Sequence, residues 1–513
     1  MSALDPISLQ VLAGRLKSIC DEMGAVLIRS AHSPNIKERR DCSTALFDAS
    51  GELVMQAEHI PVHLGSMPDA VAAIVSEPQR RGQAWILNDP FAGGTHLPDI
   101  TLITPVIAGT EDEEGDLAGF VASRAHHADV GGPTPGSMPA DSRTLDEEGV
   151  VISPRALREP EDLEGLVARM RAPKQRRADL RAQWAANQTG CARLLELITG
   201  PGAGHTTIAG MAAILDYAER RTRARLAELP DGSWAASDVL EGGADGRDDV
   251  ELRVRATIAG DELELDFSGS AAQVAGNLNC PLPVTRSAAL FAVRVLLDPD
   301  APASAGGHRP VRIVVPEGSL LNARPPAAVA AGNVETSSRV ADLVLAALGE
   351  AANGPAQGQG TMNNVTLAGE GFTYYETSGG GQGACVNADG PDAIHVAMSN
   401  TLNTPVEALE TELPLRVREL SIRRGSGGQG AHRGGDGMVR EIEALEPMRF
   451  TLLTERRRHP PRGRDGGRDG APGRNLLNGE ELPAKAAGTL KPGDRLRVET
   501  PGGGGYGVAE QED

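Results

Sequence analysis

Hydrophobic and polar positions alternate along the chain in patterns that predict both helices and strands. After Asp5 and a proline, a favourable helix start, apolar residues recur at helical spacing over residues 7–30. Two short runs of β-forming residues follow, at 44–48 and 53–56, joined by a turn at 48–51. The beginning of the chain is therefore predicted to combine one long helix with a hairpin.

The rest of the chain continues this mixture. Helical spacing returns at 176–198 and 207–229, alternating strands occupy 250–258 and 262–267, and the last third is rich in glycine. We expect an α/β (mixed α+β) fold with mixed and antiparallel sheets, packed helices and a glycine-rich β C-terminal part. Four regions are predicted: an α/β region at 1–160 that holds a metal site, a helical segment at 161–235, an α/β region at 236–360, and a β-rich region at 361–513.

One predicted hairpin brings polar residues together. Residues 100–107 and 117–125 are rich in β-formers, and the acidic segment 111–116 separates them. With a turn near 112–113, residues that face each other across an antiparallel pair have numbers that add up to about 225. Asp99 is therefore predicted to face His126.

This register gathers five side chains that suit a divalent metal at one end of the hairpin: His96, Asp99, His126, His127 and Asp129. Histidines at strand ends are more often ordinary surface or hydrogen-bonded groups, and the register is what favours the metal site. Successive side chains on a strand face opposite ways, so only one of His126 and His127 is expected to reach the ion. Gly93 and Gly94 would let backbone approach a bound molecule.

Two further segments contain residues that are candidates for the functional site. Glu38 and Asp41 lie in a charged segment just before the strand at 44–48. His59 and His63 are four residues apart, but Pro61 excludes a regular helix between them. Contact with a ligating residue or with substrate is a better expectation for these two histidines than metal ligation.

Composition and charge narrow the class of protein. The 513 residues carry a formal net charge of −20, which disfavours nucleic-acid binding. The five cysteines form no CxxC pair, and no apolar run reaches membrane-spanning length, so we expect a cytoplasmic protein with reduced thiols. No GxxxxGK[ST] phosphate loop occurs, so ATP binding through that loop is not expected.

Several long motifs resemble the hydantoinase B / oxoprolinase family in order along nearly the whole chain. They are ERRDCSTALFDASGELVMQAEHIPVHLGSMP, NDPFAGGTHLPDITLITPV, RAHHADVGG, NTPVEALE, GQGAHRGGDGMVRE and PGGGGYG. The family includes B subunits of ATP-dependent N-methylhydantoinases, 5-oxoprolinases and caprolactamase-like enzymes, and is related to metal-bearing subunits of acetone and acetophenone carboxylases. The resemblance implies a B subunit that hydrolyses a cyclic amide after a partner A subunit, an actin-like ATPase, has used ATP to phosphorylate it.

The resemblance also implies roles for individual residues. Metal ligands are expected at Asp41, His96, Asp99 and His126, with His127 an alternative to His126, and the ion could be Zn, Mn or Fe. Asp129 or Glu38 would take a proton from the attacking water. His59, His63 and Gly94 would contact substrate. Two other interpretations stay open, a subunit of a ketone carboxylase and a non-catalytic subunit whose metal holds the fold together.

Overall fold

The structure is a computed structural model that describes residues 5–58, 60–63, 65–109, 115–200, 204–242 and 249–509. Its helices are α1 Pro6–Ser30, α2 Pro34–Lys37, α3 Met67–Ala72, α4 Glu164–Val167, α5 Pro173–Thr199, α6 Gly204–Leu226, α7 Leu282–Leu297, α8 Ser337–Ala352 and α9 Val406–Glu412, with a π-helical turn at Gly332–Thr336 before α8. The strands are β1 Cys42–Phe47, β2 Leu53–Glu58, β3 Ala84–Leu87, β4 Asp99–Ile107, β5 Leu117–His126, β6 Arg155–Leu157, β7 Gly232–Leu240, β8 Val250–Ala259, β9 Glu262–Asp266, β10 Val311–Val314, β11 Asn364–Gly369, β12 Phe372–Glu376, β13 Leu415–Arg423, β14 Gly437–Ala444, β15 Met448–Leu453, β16 Arg474–Leu477, β17 Glu480–Leu482, β18 Lys485–Leu490 and β19 Arg495–Glu499.

The first sheet has the strand order β2-β1-β5-β4-β3-β6, and all its neighbouring strands are antiparallel. Its central pair, β4 and β5, is the predicted hairpin. Asp99 pairs with His126, and the same register continues to the pair Val106–Gly119, after which it shifts by one residue. The predicted register is therefore confirmed, while the centre of the predicted turn lies outside the described residues.

Two long helices cover one face of this sheet. The N-cap of α1 is Asp5, whose carboxylate accepts hydrogen bonds from the backbone amides of Ile7 and Ser8. Buried apolar residues of α1, including Leu16 and Met23, pack with residues of β1, β2, β5 and α5 in one hydrophobic cluster. The predicted first helix is confirmed, and α5 begins three residues before its predicted start at 176.

The rest of the described chain contains three more sheets. The second has the order β10-β9-β8-β7, in which β9 and β10 are parallel, and α8 packs against β7 and β8. The third and fourth sheets, β12-β11-β15-β18 and β13-β14-β19-β16-β17, share a hydrophobic cluster. The mixed α/β class with antiparallel and mixed sheets is confirmed. Strand β7 begins inside the segment that was predicted to be helical.

Hydrophobic contacts cross the boundaries of the four predicted regions. One buried cluster contains Val62 from the first region, Leu252 from the third and Tyr375 from the fourth. The C-terminal glycines serve close packing, because a β-carbon at Gly434 or Gly503 would collide with a backbone carbonyl oxygen of another segment. The site described next depends on this packing, since the N-terminal sheet meets the third sheet there.

Two observations concern the class of protein. Across the described segments, every helix falls short of the length or apolar character that crossing a membrane requires. All five cysteines lie in the described part of the chain, and no disulfide joins them there.

Candidate metal centre

The candidate metal centre lies at one end of the first sheet. His96 belongs to the turn before β4, Asp99 is the first residue of β4, and His126 is the last residue of β5. Since Asp99 and His126 are paired across the hairpin, their side chains emerge on the same face. The backbone amide of Asp99 donates to the carbonyl of His96, at 3.0 Å, which folds the turn back over this end.

Three ligand atoms form a nearly equilateral triangle. Asp99 Oδ1 lies 3.1 Å from both His96 Nε2 and His126 Nδ1, and the two nitrogens are 3.2 Å apart. For ligands about 2.1 Å from an ion, neighbouring ligand atoms are roughly 3.0 Å apart at 90° and 3.4 Å apart at tetrahedral angles. These distances therefore suit coordination of one divalent ion by all three side chains. This two-histidine, one-carboxylate set suits Zn, Mn or Fe and does not choose among them.

The three groups are buried, and their electrostatics favour binding a cation. The exposed fractions are 0% for His96, 1% for Asp99 and 3% for His126. Burial alone would raise the pKa of Asp99, but the charge and hydrogen bonds of the surrounding histidines outweigh it and hold that pKa well below its usual range. Burial lowers the pKa of His126. An ionised carboxylate and a neutral imidazole are the forms that bind metal.

His127 faces the other way. Its Nε2 lies 2.9 Å from Gln183 Oε1 on α5, and burial, followed by the charge of Arg176, lowers its pKa to about 4. The described structure places His126, and not His127, in the converging group. The expected alternation of side chains along the strand accounts for this difference.

Asp41 lies beside the triangle without joining it, and Glu38 lies three residues before Asp41 in the chain. The carbonyl of Asp41 accepts a hydrogen bond from the His126 backbone amide at 3.0 Å, and the Asp41 carboxylate is 3.9 Å from Arg39. Its negative charge raises the pKa of His126, against the larger effect of burial. Glu38 is half-buried at the end of α2. Neither is among the three described residues whose ligand atoms lie within 4.8 Å of one another.

His63 contacts the centre through Asp99. Its Nε2 is 3.5 Å from Asp99 Oδ2, and its Nδ1 is 3.0 Å from Ser43 Oγ. Thr95, a residue that sequence reasoning missed, donates its hydroxyl to the same Asp99 oxygen at 2.7 Å. One oxygen of Asp99 thus faces the ligand triangle, while the other is held by protein side chains. His59 lies outside the described residues.

Gly94 and Asp129 have contacts that shape the loops around the centre. A β-carbon at Gly94 would lie 2.5 Å from the carbonyl oxygen of Asn88, so the loop before β4 needs a glycine there. Asp129 accepts hydrogen bonds from the backbone amides of Gly131 and Gly136 and from Arg171, and thereby anchors the loop after β5. That loop packs against β11 and β12 and contributes Pro135 to the wall of a cleft.

The third sheet supplies an aromatic residue that sequence reasoning missed. The ring of Tyr375 on β12 stacks on His126, with 4.8 Å between centroids and 17° between planes. Arg39 lies 5.1 Å from the centroid of the Tyr375 ring and donates to its carbonyl oxygen. The Tyr375 hydroxyl donates to Asn364, which donates to Glu335 in the π-helical turn, and both bonds measure 2.7 Å. No short-range pattern links these residues to the hairpin, so only tertiary packing brings them to His126.

Arg124 was also missed, although its position in the sequence marks it as unusual. Arg124 is an arginine inside the otherwise apolar run of β5, two residues before His126 and on the same face. It donates to Thr101, Ser66 and the Gly93 carbonyl, and burial lowers its pKa to about 10. A charged side chain at an inward strand position could have been recognised as part of a buried polar site.

The fold and the centre together define a mixed α/β protein with a buried two-histidine, one-carboxylate cluster. The chain belongs to the hydantoinase B/oxoprolinase family, whose family model matches residues 5–509. It is 38% identical over 524 residues to 5-oxoprolinase of Dictyostelium discoideum, covering 98% of this chain and 40% of that protein. It is 30% identical to a putative D-/L-hydantoinase B subunit of a Pseudomonas species, covering 99% of this chain and 90% of that protein. The chain thus spans less than half the length of the eukaryotic relative.

Solved structures agree with this assignment. The ATP-dependent caprolactamase of Pseudomonas jessenii superposes with a TM-score of 0.90 at 28% identity, covering 99% of this chain and 92% of that chain. An acetone carboxylase superposes with a TM-score of 0.85 at 18% identity, covering 98% and 76%. The second likeness shows the shared fold alone.

Proposed function

We propose that this chain is the metal-bearing, hydrolytic B subunit of an ATP-dependent enzyme that opens a cyclic amide such as a hydantoin, 5-oxoproline or a lactam. The observation that carries the proposal is the buried triangle of His96, Asp99 and His126. It is supported by the relatives, since a 5-oxoprolinase, a hydantoinase component and a caprolactamase are all named for cyclic amides. The likeness to acetone carboxylase favours no carboxylase activity, because it shows only the fold.

His96, Asp99 and His126 would hold a divalent ion, and we propose Asp41 as the fourth protein ligand because its charge already acts on His126. When bound, such an ion polarises an acyl carbon and lowers the pKa of a bound water. Thr95 and His63 orient Asp99, Ser43 in turn positions His63, and Tyr375 fixes the plane of the His126 ring.

Removal of a proton from the attacking water requires a nearby base. Of the two carboxylates considered for this role, Asp129 is already committed to the amides of its own loop and to Arg171. Glu38 is half-buried and lies three residues before Asp41. We therefore favour Glu38, and propose that Asp129 acts by holding the loop after β5. Glu38→Gln should lower kcat while the metal is retained, whereas the main effect of Asp129→Asn should be a lower stability of the fold.

The ATP-dependent step is assigned to a partner. We propose that an actin-like ATPase of the hydantoinase A type phosphorylates the substrate, and that the two chains form a hetero-oligomer. A relative named as one component of a hydantoinase, and another that is more than twice as long as this chain, support a division of the reaction between two parts. We expect the purified chain alone to show no micromolar binding of ATP in calorimetry, because the sequence has no phosphate loop.

The direct test of this function is ring opening by the complex. The chain, co-purified with its partner, is assayed with ATP and a panel of hydantoins, 5-oxoproline and lactams. We expect ATP-dependent opening of one class, lost in His96→Ala while circular dichroism stays native. If His96→Ala unfolds the protein, the ion would instead be a structural one that holds the fold together. Full ring opening by the wild-type chain without ATP or partner would contradict the proposal.

A further inference from the structure

A cleft of about 580 Å³ opens beside the metal centre, between the start of α5, the loop after β5 and the turn between β11 and β12. Ala128 and Asp129, which follow His126 closely in the chain, form part of its wall, and so does Tyr374, the neighbour of Tyr375. Within the described residues, none of the three triangle residues lines it. The cleft is therefore adjacent to the metal centre but separate from it.

Arg176, in the wall of this cleft, has two hydrogen-bond donor nitrogens without an acceptor among the described residues. Its exposed fraction is 0%. Its Nη2 donates to Asp179 Oδ2 at 3.1 Å and to Gln175 Oε1 at 2.8 Å. Its Nε and Nη1 have no hydrogen-bond partner among the described residues. A buried donor without a partner is costly, so a ligand oxygen that accepts from Nε, or one that accepts from Nη1, would be favoured there.

The start of α5 adds to the positive character of the cleft. This 27-residue helix begins at Pro173, and its N-cap residue, Ala172, has φ = 48° and makes no side-chain cap. The positive end of the helix dipole is thus directed at the cleft, where Ala172 and Pro173 form part of the wall. Arg171, just before them, lines the same wall.

The carboxylates that line the cleft or pair with Arg176 either have partners already or face solvent. Asp129 is held by two backbone amides and by Arg171, at 3.2 Å. Asp179 accepts from the amides of His32 and Ser33 through one oxygen and from Arg176 through the other. Glu412 also lines the cleft, but it is exposed to solvent. These carboxylates leave Nε and Nη1 of Arg176 without an acceptor.

We propose that this cleft binds an oxyanion, a carboxylate or phosphoryl group, carried by a small molecule with an apolar body. Arg176 and the start of α5 receive the oxyanion, while Met170, Phe372 and Leu413 contact the body. In the proposed function, on which this step rests, the substrate class becomes an acid-bearing cyclic amide or its phosphorylated form. Carboxylate and phosphoryl oxygens both accept charge-assisted hydrogen bonds from a guanidinium, so the test must separate the two groups.

Isothermal titration of the full chain, without ATP, distinguishes the possibilities. The probes are 5-oxoproline, the uncharged ring 2-pyrrolidinone, and orthophosphate. We expect 5-oxoproline or orthophosphate to bind and 2-pyrrolidinone to bind at least about tenfold more weakly, since it lacks the charged acceptor. Tighter binding of 5-oxoproline assigns a carboxylate site, and tighter binding of orthophosphate assigns a phosphoryl site. Equal binding of both rings with no binding of orthophosphate, or no binding of any probe, overturns the proposal.

Matched variants locate the site. Arg176→Gln should weaken the affinity for the probe about tenfold or more. Lys174→Gln, an equal change of charge at an exposed residue of the same helix end that does not line the cleft, should change it less than about twofold. Equal effects of the two substitutions would mean that only net charge matters and would overturn the proposal.

Further variants cover the case in which Arg176→Gln is destabilised. If Arg176→Gln melts at lower temperature, Arg176→Lys and the half-buried Arg171→Gln replace it, and each should still weaken binding several-fold. Unchanged binding in both would overturn the site. His96→Ala should retain probe binding, because the cleft does not include the triangle. In the wild-type complex, probe binding without ring opening would refute the hydrolytic function alone, whereas ring opening without probe binding would refute this site alone.

Discussion

His126 and His127 show how far single residues could be predicted. The alternation of side chains along a strand predicts that the two face opposite ways, and in the structure one meets Asp99 and the other meets Gln183. Tyr375 could not be predicted in this way. It reaches His126 only because the third sheet packs against the first, and no local periodicity encodes that contact.

The first prediction concerns Tyr375. Tyr375→Leu removes the ring that stacks on His126, so we expect metal affinity, measured by competition with a chelator, to fall about 10- to 100-fold. Tyr375→Phe keeps the ring and loses only the hydrogen bond to Asn364, so its affinity should fall by a few-fold at most. Equal losses in the two variants would show that the ring does not position His126.

The second prediction concerns Glu335. Burial, and then the charge of Glu455, raise the pKa of Glu335 to about 7 from an ordinary value of 4.5. The folded state therefore binds this proton more tightly than the unfolded state does. The free energy of unfolding should fall as pH rises from about 4.5 to 7, by up to roughly 3 kcal/mol from this group.

Glu335→Gln removes that titration. The amide oxygen can still accept from the Met362 amide and from Asn364, while its NH₂ replaces the oxygen that has no partner. Urea unfolding at pH 5 and pH 8 should show that the variant gains stability relative to the wild type at the higher pH. The same pH dependence in both proteins would contradict a raised pKa at Glu335.

Elements with a strong local pattern were predictable, and those fixed by packing were not. The register of β4 and β5 follows from the position of the turn between two apolar runs, and α1 follows from its periodic apolar residues and its Asp5 cap. Strand β7 alternates only weakly in sequence and becomes a strand by pairing along β8. The prediction that Gly94, in the loop before β4, lets a bound molecule approach stays a prediction, and the contacts of Gly94 add a second reason for glycine, close packing against Asn88.

The third prediction tests that loop. Gly94→Ala places a β-carbon 2.5 Å from the Asn88 carbonyl oxygen, so we expect the free energy of unfolding to fall by about 1–3 kcal/mol. Since His96 lies two residues on, metal affinity should fall as well. Gly14→Ala, on an open face of α1, is the control and should be neutral or stabilising by up to about 1 kcal/mol. Urea unfolding that gives the two variants the same stability would refute the packing role of Gly94.

At the scale of the whole molecule, the candidate metal centre lies where the N-terminal sheet and the third sheet meet. Long motifs were enough to identify the family, and the overall mixture of helices and sheets followed from local patterns. The four predicted regions share one hydrophobic cluster, which contains Val62, Leu226, Leu252 and Tyr375. A core this extensive should persist without a metal, so loss of the ion should abolish activity and leave the fold intact.

The metal content of purified protein, measured by inductively coupled plasma mass spectrometry, tests the central claim most directly. The wild-type chain should carry a stoichiometric divalent ion, and His96→Ala should lose it while circular dichroism stays native. His127→Asn, at the neighbouring residue that faces α5, should keep the ion. Stoichiometric metal in His96→Ala, or its loss from His127→Asn with the fold intact, would contradict the assignment of His96, Asp99 and His126 as the metal centre.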